Sequence, residues 1–348
     1  MKTVLITGGL GFLGTNIAEK FLREDWAVIA LDNMKRRGVE SNIIEHENYT
    51  FMHADVRNKS DLKKMPDIHA IINLAANPGI PWSIKNPVYD FEVNAMGALN
   101  MLELAKERKV PFIQASTNKV YSDYMCELEL TESEKRYDFM DMKYANGIKT
   151  DFPMDSFGNH PHSPYGVSKC CADLYAQEYY HIYNVPTTVF RMSCLYGKHQ
   201  IGVEDQGWVA WFMIAKILGK PLNIFGDGKQ VRDLLYGSDI ARLYYQAVTD
   251  NDNFAGKVFN AGGGKHNSVS LIETIEKIYQ MDEELGYDQT PFDMTFKPWR
   301  QADHRVYISD INPLARLWEP KFNVDEGLRE TYRWLNENKD KLKGFYDN

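Results

Sequence analysis

Thr3-Val4-Leu5-Ile6-Thr7 is a short β-branched, apolar run that gives way at once to Gly8-Gly9-Leu10-Gly11-Phe12-Leu13-Gly14, after which an amphipathic helix pattern runs to about Arg23. No other stretch constrains the fold as much, because a strand, a glycine turn and a helix in that order open a dinucleotide-binding βαβ unit. Gly8, Gly11 and Gly14 let the backbone turn tightly, approach a pyrophosphate and pack helix against strand. The helix N-terminus offers the anion N–H donors and the positive end of its dipole. Phe12 and Leu13, inside the turn, fall among the expected cofactor contacts. A second apolar strand, Ala27 to Leu31, ends in Asp32-Asn33, at the distance where an acidic residue accepts the adenosine ribose hydroxyls. A carboxylate there repels a 2′-phosphate and favours NAD over NADP. The basic Lys35-Arg36-Arg37 pulls the other way, since such residues can pair with that phosphate, and a solvated loop is their plainer reading.

The strand–helix alternation continues. Tyr49 to His53 leads to Asp55-Val56, and Ala70 to Leu74 leads to Ala75-Ala76, small residues over which a cofactor can pass; Asp55, Val56, Leu74, Ala75 and Ala76 join the expected cofactor contacts. Asn94 to Arg108, apolar at Met96, Leu99, Met101, Leu102, Leu104 and Ala105, reads as a buried helix with Asn94, a further cofactor contact, at its start. Pro111 to Ser116 is the next strand. Such repetition predicts the α/β class: a Rossmann-like, doubly wound parallel sheet with ligands beyond the carboxyl ends of its strands. After about Val189, helices (Trp208 to Leu218, Ser238 to Val248, Ser268 to Tyr279, Val324 to Leu335) mix with short strands (Leu222 to Phe225, Val231 to Leu235, Val258 to Ala261, Val306 to Ser309). Residues 1–190 are therefore expected to form mainly the dinucleotide-binding domain, and 191–348 mainly a smaller C-terminal substrate-binding lobe interleaved with it, ending in a charged tail from Leu335.

Chemistry enters at Pro164-Tyr165-Gly166-Val167-Ser168-Lys169, where a phenol and an ammonium stand four residues apart on a predicted helix running through Tyr183. At about 3.6 residues per turn they share a face. A free tyrosine titrates near pH ~10, and a neighbouring ammonium favours the phenolate, so the pair is suited to general acid–base work. Ser116 and Thr117 end a strand where a hydroxyl can bond a cofactor or substrate oxygen, although strand-end hydroxyls also serve as turn formers. Ser122 to His162 has weak periodicity and reads as an irregular excursion, expected to wall the active site. His160-Pro161-His162 sits in it as a loop and not as a metal site, and no metal is expected.

Composition narrows the setting. With 348 residues, 44% hydrophobic, the chain can bury a large core, and its formal charge of −8 with no long basic run argues against nucleic acid or an anionic membrane as partner. The four cysteines (Cys126, Cys170, Cys171, Cys194) have no metal-type spacing and read as reduced thiols. Together with a chain that opens directly into a strand and an absence of membrane-length apolar runs, this predicts a cytoplasmic protein.

The ordered set Thr7-Gly8-Gly9-x-Gly11-Phe12-x-Gly14, Asp32-Asn33, Ser116-Thr117 and Tyr165-x-x-x-Lys169 resembles the extended short-chain dehydrogenase/reductase family of nucleotide-sugar enzymes over nearly the whole length. Within it, Ser116-Thr117-Asn118-Lys119-Val120-Tyr121, Asp205-Gln206-Gly207-Trp208-Val209, Gly226-Asp227-Gly228-Lys229-Gln230-Val231-Arg232-Asp233 and Asp303-His304-Arg305-Val306 are most similar to members that epimerise a CDP-linked deoxyhexose at C2. The resemblance implies a catalytic triad of Thr117, Tyr165 and Lys169, the last two also contacting NAD. It implies a nucleotide-diphosphate sugar held by Thr117, Asn118, Cys194, Gln206, Gly207, Trp208, Arg232 and Arg300. Guanidinium forks on Arg232 and Arg300 match phosphate oxygens bidentately. It further implies a homo-oligomer, dimer or tetramer.

Four positions depart from the family pattern. Family dehydratases carry Asp-Glu after the threonine where this chain has Asn118-Lys119, which argues against water loss. Cys194 stands where many members place asparagine, and Ser122 where many place glycine. The expected activity is transient oxidation of a sugar carbon and hydride return to the opposite face. A 4-epimerase or a net dehydrogenase/ketoreductase shares the triad, and a non-catalytic NAD sensor shares the fold.

Overall fold

The computed structural model describes residues 1–63, 65–154, 162–300 and 303–346. The chain divides into two compact units, one of residues 1–122, 154–192 and 237–260, the other of 123–153, 193–236 and 261–348.

The first unit is built on a seven-stranded sheet. Its strands are β1 (Thr3–Thr7), β2 (Ala27–Asp32), β3 (Tyr49–His53), β4 (Ala70–Asn73), β5 (Phe112–Thr117), β6 (Thr187–Met192) and β7 (Lys257–Ala261), in spatial order β7-β6-β5-β4-β1-β2-β3. Every pairing from β6 across to β3 is parallel. The inner strands are apolar on consecutive residues because both faces are covered. In register, Thr7 pairs with Leu31 and Asn73, and Thr117 with Met192, which lines up the carboxyl ends of β1, β2, β4, β5 and β6. Strand order reverses at β1 and β4, the switch point of an open α/β sheet. The main helices are α1 (Phe12–Arg23), α2 (Gly97–Arg108), α3 (Pro164–Tyr183) and α4 (Gly237–Thr249). Leu5, Ile71, Phe112, Met101, Leu102, Ala176 and Val189 share a core between sheet, α2 and α3.

Asn94 does not start a regular helix as expected: Glu92–Met96 is a π-turn, and α2 begins at Gly97, where an added Cβ would lie 2.6 Å from Val56 Cγ2. Close packing of Val56 on the helix leaves room only for glycine.

The second unit gathers Cys194–Tyr196, Val231–Tyr236, Ser268–Ser270 and Val306–Tyr307 into a sheet. The helices Trp208–Leu218, Leu271–Leu285 and Val324–Glu337 share one core through Met213, Ile214, Ile278, Leu328 and Leu335. Ser268–Ser270, expected as helix, pairs antiparallel with Val231–Asp233, since Ser270 and Glu273 form a capping box that starts the helix at Leu271. The excursion is more ordered than its sequence indicates. Leu130–Glu132 and Tyr137–Phe139 form a hairpin, Tyr137 packs with Val231, Val306 and Ile308, and Ile148 bridges to Ser309. The tail is not merely charged: Lys339–Tyr346 is helical, Leu342 is buried, and the Tyr346 hydroxyl donates to the Gly202 carbonyl.

Candidate active site

In the first unit the glycine turn closes through Gly11 N–H to the Gly8 carbonyl (3.0 Å) and Gly9 N–H to the Leu31 carbonyl (3.1 Å). Gly8 has φ +65°, and a Cβ on Gly14 would lie 2.5 Å from the Gly8 oxygen, so neither position accepts another residue without strain. Gly11 caps α1 without a side chain, and the first turn carries no acidic residue, which leaves its N–H donors to an anion. Asp32 Oδ2 accepts from Leu10 N–H (3.2 Å) and Oδ1 from Met34 N–H (2.8 Å), tying β2 to the turn; burial raises its carboxyl, against the pull of those two amides. A cradle that any Cβ would fill, an open helix N-terminus and an anchored carboxylate fit a dinucleotide.

Around it, Asn33 Nδ2 donates to Asp55 (2.9 Å), and Arg57 grips both oxygens of that carboxylate at 2.9 and 3.0 Å. Burial pushes the Asp55 carboxyl up, but Arg57 and Asn33 outweigh it and hold it at about 2. Val56 is buried, with its carbonyl bonded to Asn100. Thr7, which sequence reasoning treated only as part of the motif, fixes the β4 loop: its hydroxyl donates to Asn73 Oδ1 (2.7 Å) and accepts from Leu74 and Ala75 N–H (both 3.1 Å). Ala76 follows in that loop, partly exposed. Phe12 and Leu13 are partly exposed on the first turn of α1. Lys35, whose charge weighed toward NADP, lies with its ammonium over the Tyr89 ring (3.4 Å) and the Trp82 ring (5.6 Å).

Thr117 ends β5, Tyr165 lies in the first turn of α3 and Lys169 one turn on. Ser163 caps α3 by accepting from Gly166 N–H (3.1 Å), with Pro164 at the first helical position. The Tyr165 hydroxyl is within hydrogen-bonding reach of Thr117. Lys169, buried, donates from Nζ to the Ala115 carbonyl at 2.5 Å.

The expected tuning of the phenol by the ammonium is corrected here: burial pushes Tyr165 up to about 12, against the opposing pull of Thr117, and Lys169 itself is lowered by burial to about 8. Both residues are on α3, but removal of water decides the phenol's shift, and the ammonium is bonded to the Ala115 carbonyl. Ser116 donates to Asp173 (2.6 Å), which is clamped by Arg191 at 2.9 and 3.0 Å. Asn94 spends its amide within the protein, accepting from Asn77 N–H (2.8 Å) and donating to Ser168 Oγ (3.0 Å) and Asp90 (3.2 Å). Asn118 is buried, with its carbonyl oxygen 3.3 Å from the Thr117 hydroxyl.

The second unit holds the remaining expected residues. Cys194 Sγ accepts from Trp208 Nε1 (3.4 Å), one hydrogen bond where an amide would make two. Gln206 and Val203 exchange backbone hydrogen bonds at 2.8 and 2.9 Å, and Gly207, at φ +75°, leads into the Trp208 helix. Arg232 is nearly buried: it donates to Asp303 (2.5 Å) and to the carbonyls of His304 (2.6 Å) and Val231 (2.7 Å). Arg300 pairs with Asp205 (3.0 Å), donates to the Glu204 carbonyl (3.1 Å) and lies over the Phe225 ring (3.9 Å). Both guanidinium groups are thus oriented by a carboxylate and a carbonyl.

His162 Nε2 lies 2.9 Å from the Val120 carbonyl, whereas His160 and Pro161 are outside the described residues. Donor atoms of Asp123, Cys126 and His304 lie within 4.8 Å of one another, with His304 Nε2 hydrogen-bonded to Asp123 Oδ1 at 3.1 Å. No helix among the described residues is long and apolar enough to cross a membrane.

A switch-point glycine cradle and a Thr–Tyr–Lys set at the carboxyl ends of a parallel sheet define a dinucleotide-dependent enzyme of the short-chain dehydrogenase/reductase type. Residues 4–262 match the NAD dependent epimerase/dehydratase family, and the chain belongs to that family; NAD is its cofactor. It is 38% identical to CDP-paratose 2-epimerase of Salmonella typhi, covering 96% of this chain and 99% of that one. It is 30% identical to a putative UDP-glucose 4-epimerase of Methanocaldococcus jannaschii, again over 96% and 99%. Among solved structures it is similar to UDP-glucose 4-epimerase of Thermotoga maritima with UDP-glucose (27% identity, TM-score 0.79, 97% and 99% covered). It is also similar to dTDP-glucose 4,6-dehydratase of Bacillus anthracis in complex with NAD (27%, TM-score 0.78, 99% and 100% covered).

Sequence reasoning missed Asp90, Asn77, Asp173 and Arg191 as parts of the hydrogen-bond network behind α3. Arg191 carries the clearest signal, a charge that closes the apolar, buried run of β6.

Proposed function

We propose that this enzyme is a 2-epimerase of a CDP-linked deoxyhexose, interconverting CDP-paratose and CDP-tyvelose. The observation that carries the reading is the 38% identity to a CDP-paratose 2-epimerase along practically the full length of both chains. Asn118-Lys119 after Thr117 supports it by disfavouring dehydration. Gly8, Gly11, Gly14 and Asp32 would hold NAD, which when bound supplies the hydride acceptor and donor and a cationic ring. Tyr165 takes the proton of the substrate hydroxyl and later returns it; its phenol, held near pH 12 without ligand, needs the positive charge of the loaded site to ionise. Thr117 hydrogen-bonds the reacting oxygen, and Lys169 holds positive charge beside the phenol. Arg232 and Arg300 grip the diphosphate, with Cys194, Gln206, Gly207 and Trp208 as further substrate contacts. The working form is a homo-oligomer, supported by the exposed apolar residues Val167, Leu174 and Ile182 on α3.

The test is a screen of CDP-, UDP-, GDP- and dTDP-sugars with NMR of the product, followed by substrate deuterated at C2. The reading predicts a primary isotope effect and retention of the label at C2 of the inverted product. Inversion at C4 with C2 untouched, or loss of the label to water, overturns it.

A further inference from the structure

We propose that Asp123, Cys126 and His304 form a binding site for one divalent cation of the zinc class, which clips the start of the 123–153 segment to the chain entering the strand Val306–Tyr307. Asp123–Glu127 is a single 3₁₀ turn. Side chains at i and i+3 eclipse one another in such a turn, so Asp123 and Cys126 present a carboxylate and a thiol on the same side of it. That ligand-x-x-ligand spacing is how one short turn supplies two bonds to a tetrahedral ion. The third donor comes from far along the chain: His304 Nε2 lies 3.1 Å from Asp123 Oδ1, across 181 residues of sequence, which is why cysteine spacing alone carried no metal signal.

Donor atoms of the three side chains lie within 4.8 Å of one another. Ligands bonded to one zinc at about 2.0–2.3 Å stand roughly 3.3–3.8 Å apart at tetrahedral angles, so movements of about 1 Å bring all three donors onto a single ion. The set is also chemically selective. A thiolate, a carboxylate and a neutral imidazole together carry the negative charge that balances a divalent cation. Sulfur and imidazole nitrogen suit zinc and its first-row neighbours, whereas magnesium and calcium take oxygen ligands.

Burial is graded across the site. The His304 side chain is 1% exposed and that of Asp123 19%, while Cys126 is exposed and gives an ion its way in from solvent. Positive charge beside His304 is already compensated, because Arg232, which donates to the His304 carbonyl, also pairs with Asp303 at 2.5 Å. An ion bound here ties the 3₁₀ turn to the segment whose carbonyl orients Arg232. It stabilises the folded chain, since donors so distant in sequence meet only on folding.

The experiment takes the full chain with its NAD, dialysed against a chelator under reducing conditions, and titrates it with Co2+ as a spectroscopic substitute for zinc. One equivalent is expected to bind, with a thiolate-to-cobalt charge-transfer band in the near ultraviolet and the intense visible bands of four-coordinate cobalt. Zinc should displace both and magnesium neither. Cys170, Cys171 and Cys194 are also thiols, so variants assign the band: Cys126→Ser, at an exposed position, is expected to abolish it. Asp123→Ala should weaken zinc by about 10-fold or more, the scale seen when even an outer partner of a metal is removed, and His304→Gln should do the same. If His304→Gln does not fold, the other two variants carry the test. Zinc should raise the unfolding midpoint of the wild type more than that of Cys126→Ser. Absence of a one-to-one cobalt complex, a charge-transfer band that survives Cys126→Ser, or zinc affinity unchanged in Asp123→Ala overturns the site and leaves a His–Asp hydrogen bond with a bystander thiol. Cation binding is read without substrate, so failure here is separate from failure of the epimerase reading.

Discussion

At Tyr165, burial and the Thr117 hydrogen bond compete, and without ligand burial wins. The i, i+4 spacing correctly placed Tyr165 and Lys169 on one helical face, but periodicity carries no information on how much water the fold removes, so the direction of the phenol's shift was not legible. Tyr165→Phe is expected to lower turnover by about 10²-fold or more, the scale of general acid–base catalysis, with unchanged circular dichroism and NAD still bound. The Lys169 ammonium, held near 8, is charged below that pH and loses its proton above it, so kcat should decline as pH rises through about 8. A pH profile flat to pH 10 would remove the need for its charge. The glycine turn was legible down to the residue, because its chemistry is local. Gly14→Ala drives a Cβ to 2.5 Å from the Gly8 oxygen, so it should cost about 1–3 kcal/mol and weaken NAD retention together. Denaturant melting and the nucleotide released from purified protein measure both effects.

At the scale of elements, the legible parts were those with strong periodicity or a cap. β1, β3, the Trp208–Leu218 helix and the long α3 appear close to where the apolar pattern puts them. The hairpin within the excursion was not legible, because its apolar partners, Val231, Val306 and Ile308, lie far along the chain and each strand is only three residues long. Gly147 shows the same dependence on distant sequence: at φ +105°, its Cβ position lies 2.4 Å from the Ile308 carbonyl oxygen. Attachment of α3 to the sheet rests on Asp173 and Arg191, which join the helix to β6 through a fully buried pair. Removing one partner leaves the other charge buried and alone. Arg191→Leu should therefore destabilise the protein by about 3–5 kcal/mol in urea unfolding, and Arg191→Leu with Asp173→Leu should recover much of that loss. A double variant no better than the single one would show that the fork, not the orphaned charge, is what matters.

For the molecule as a whole, the class of fold was legible because parallel α/β units announce themselves one after another, and a second lobe interleaved with the first was expected from the mixed elements after Val189, but not which segments cross over. Residues 237–260 return to the first unit after the chain has built part of the second, and 123–153 leave it early. Surface chemistry offers a last test, of the homo-oligomer. On α3, Val167, Leu174, Tyr175, Ile182 and Tyr183 are between 44% and 62% exposed, although the helix is built into the core by its opposite side. Val167, Leu174 and Ile182 recur near helical spacing along one face, with the exposed Glu178 between the last two. The proposed homo-oligomer would cover these groups, since exposed apolar residues grouped on one face suit an interface and a second copy of the chain is the partner always available. Leu174→Lys with Ile182→Lys places two charges on that face without touching the triad. In light scattering, the wild type is expected at a multiple of the 40.2 kDa chain mass and the double variant at the single-chain mass, with circular dichroism unchanged. A wild type already at the single-chain mass, or a double variant that assembles as the wild type does, would show that α3 is not the interface.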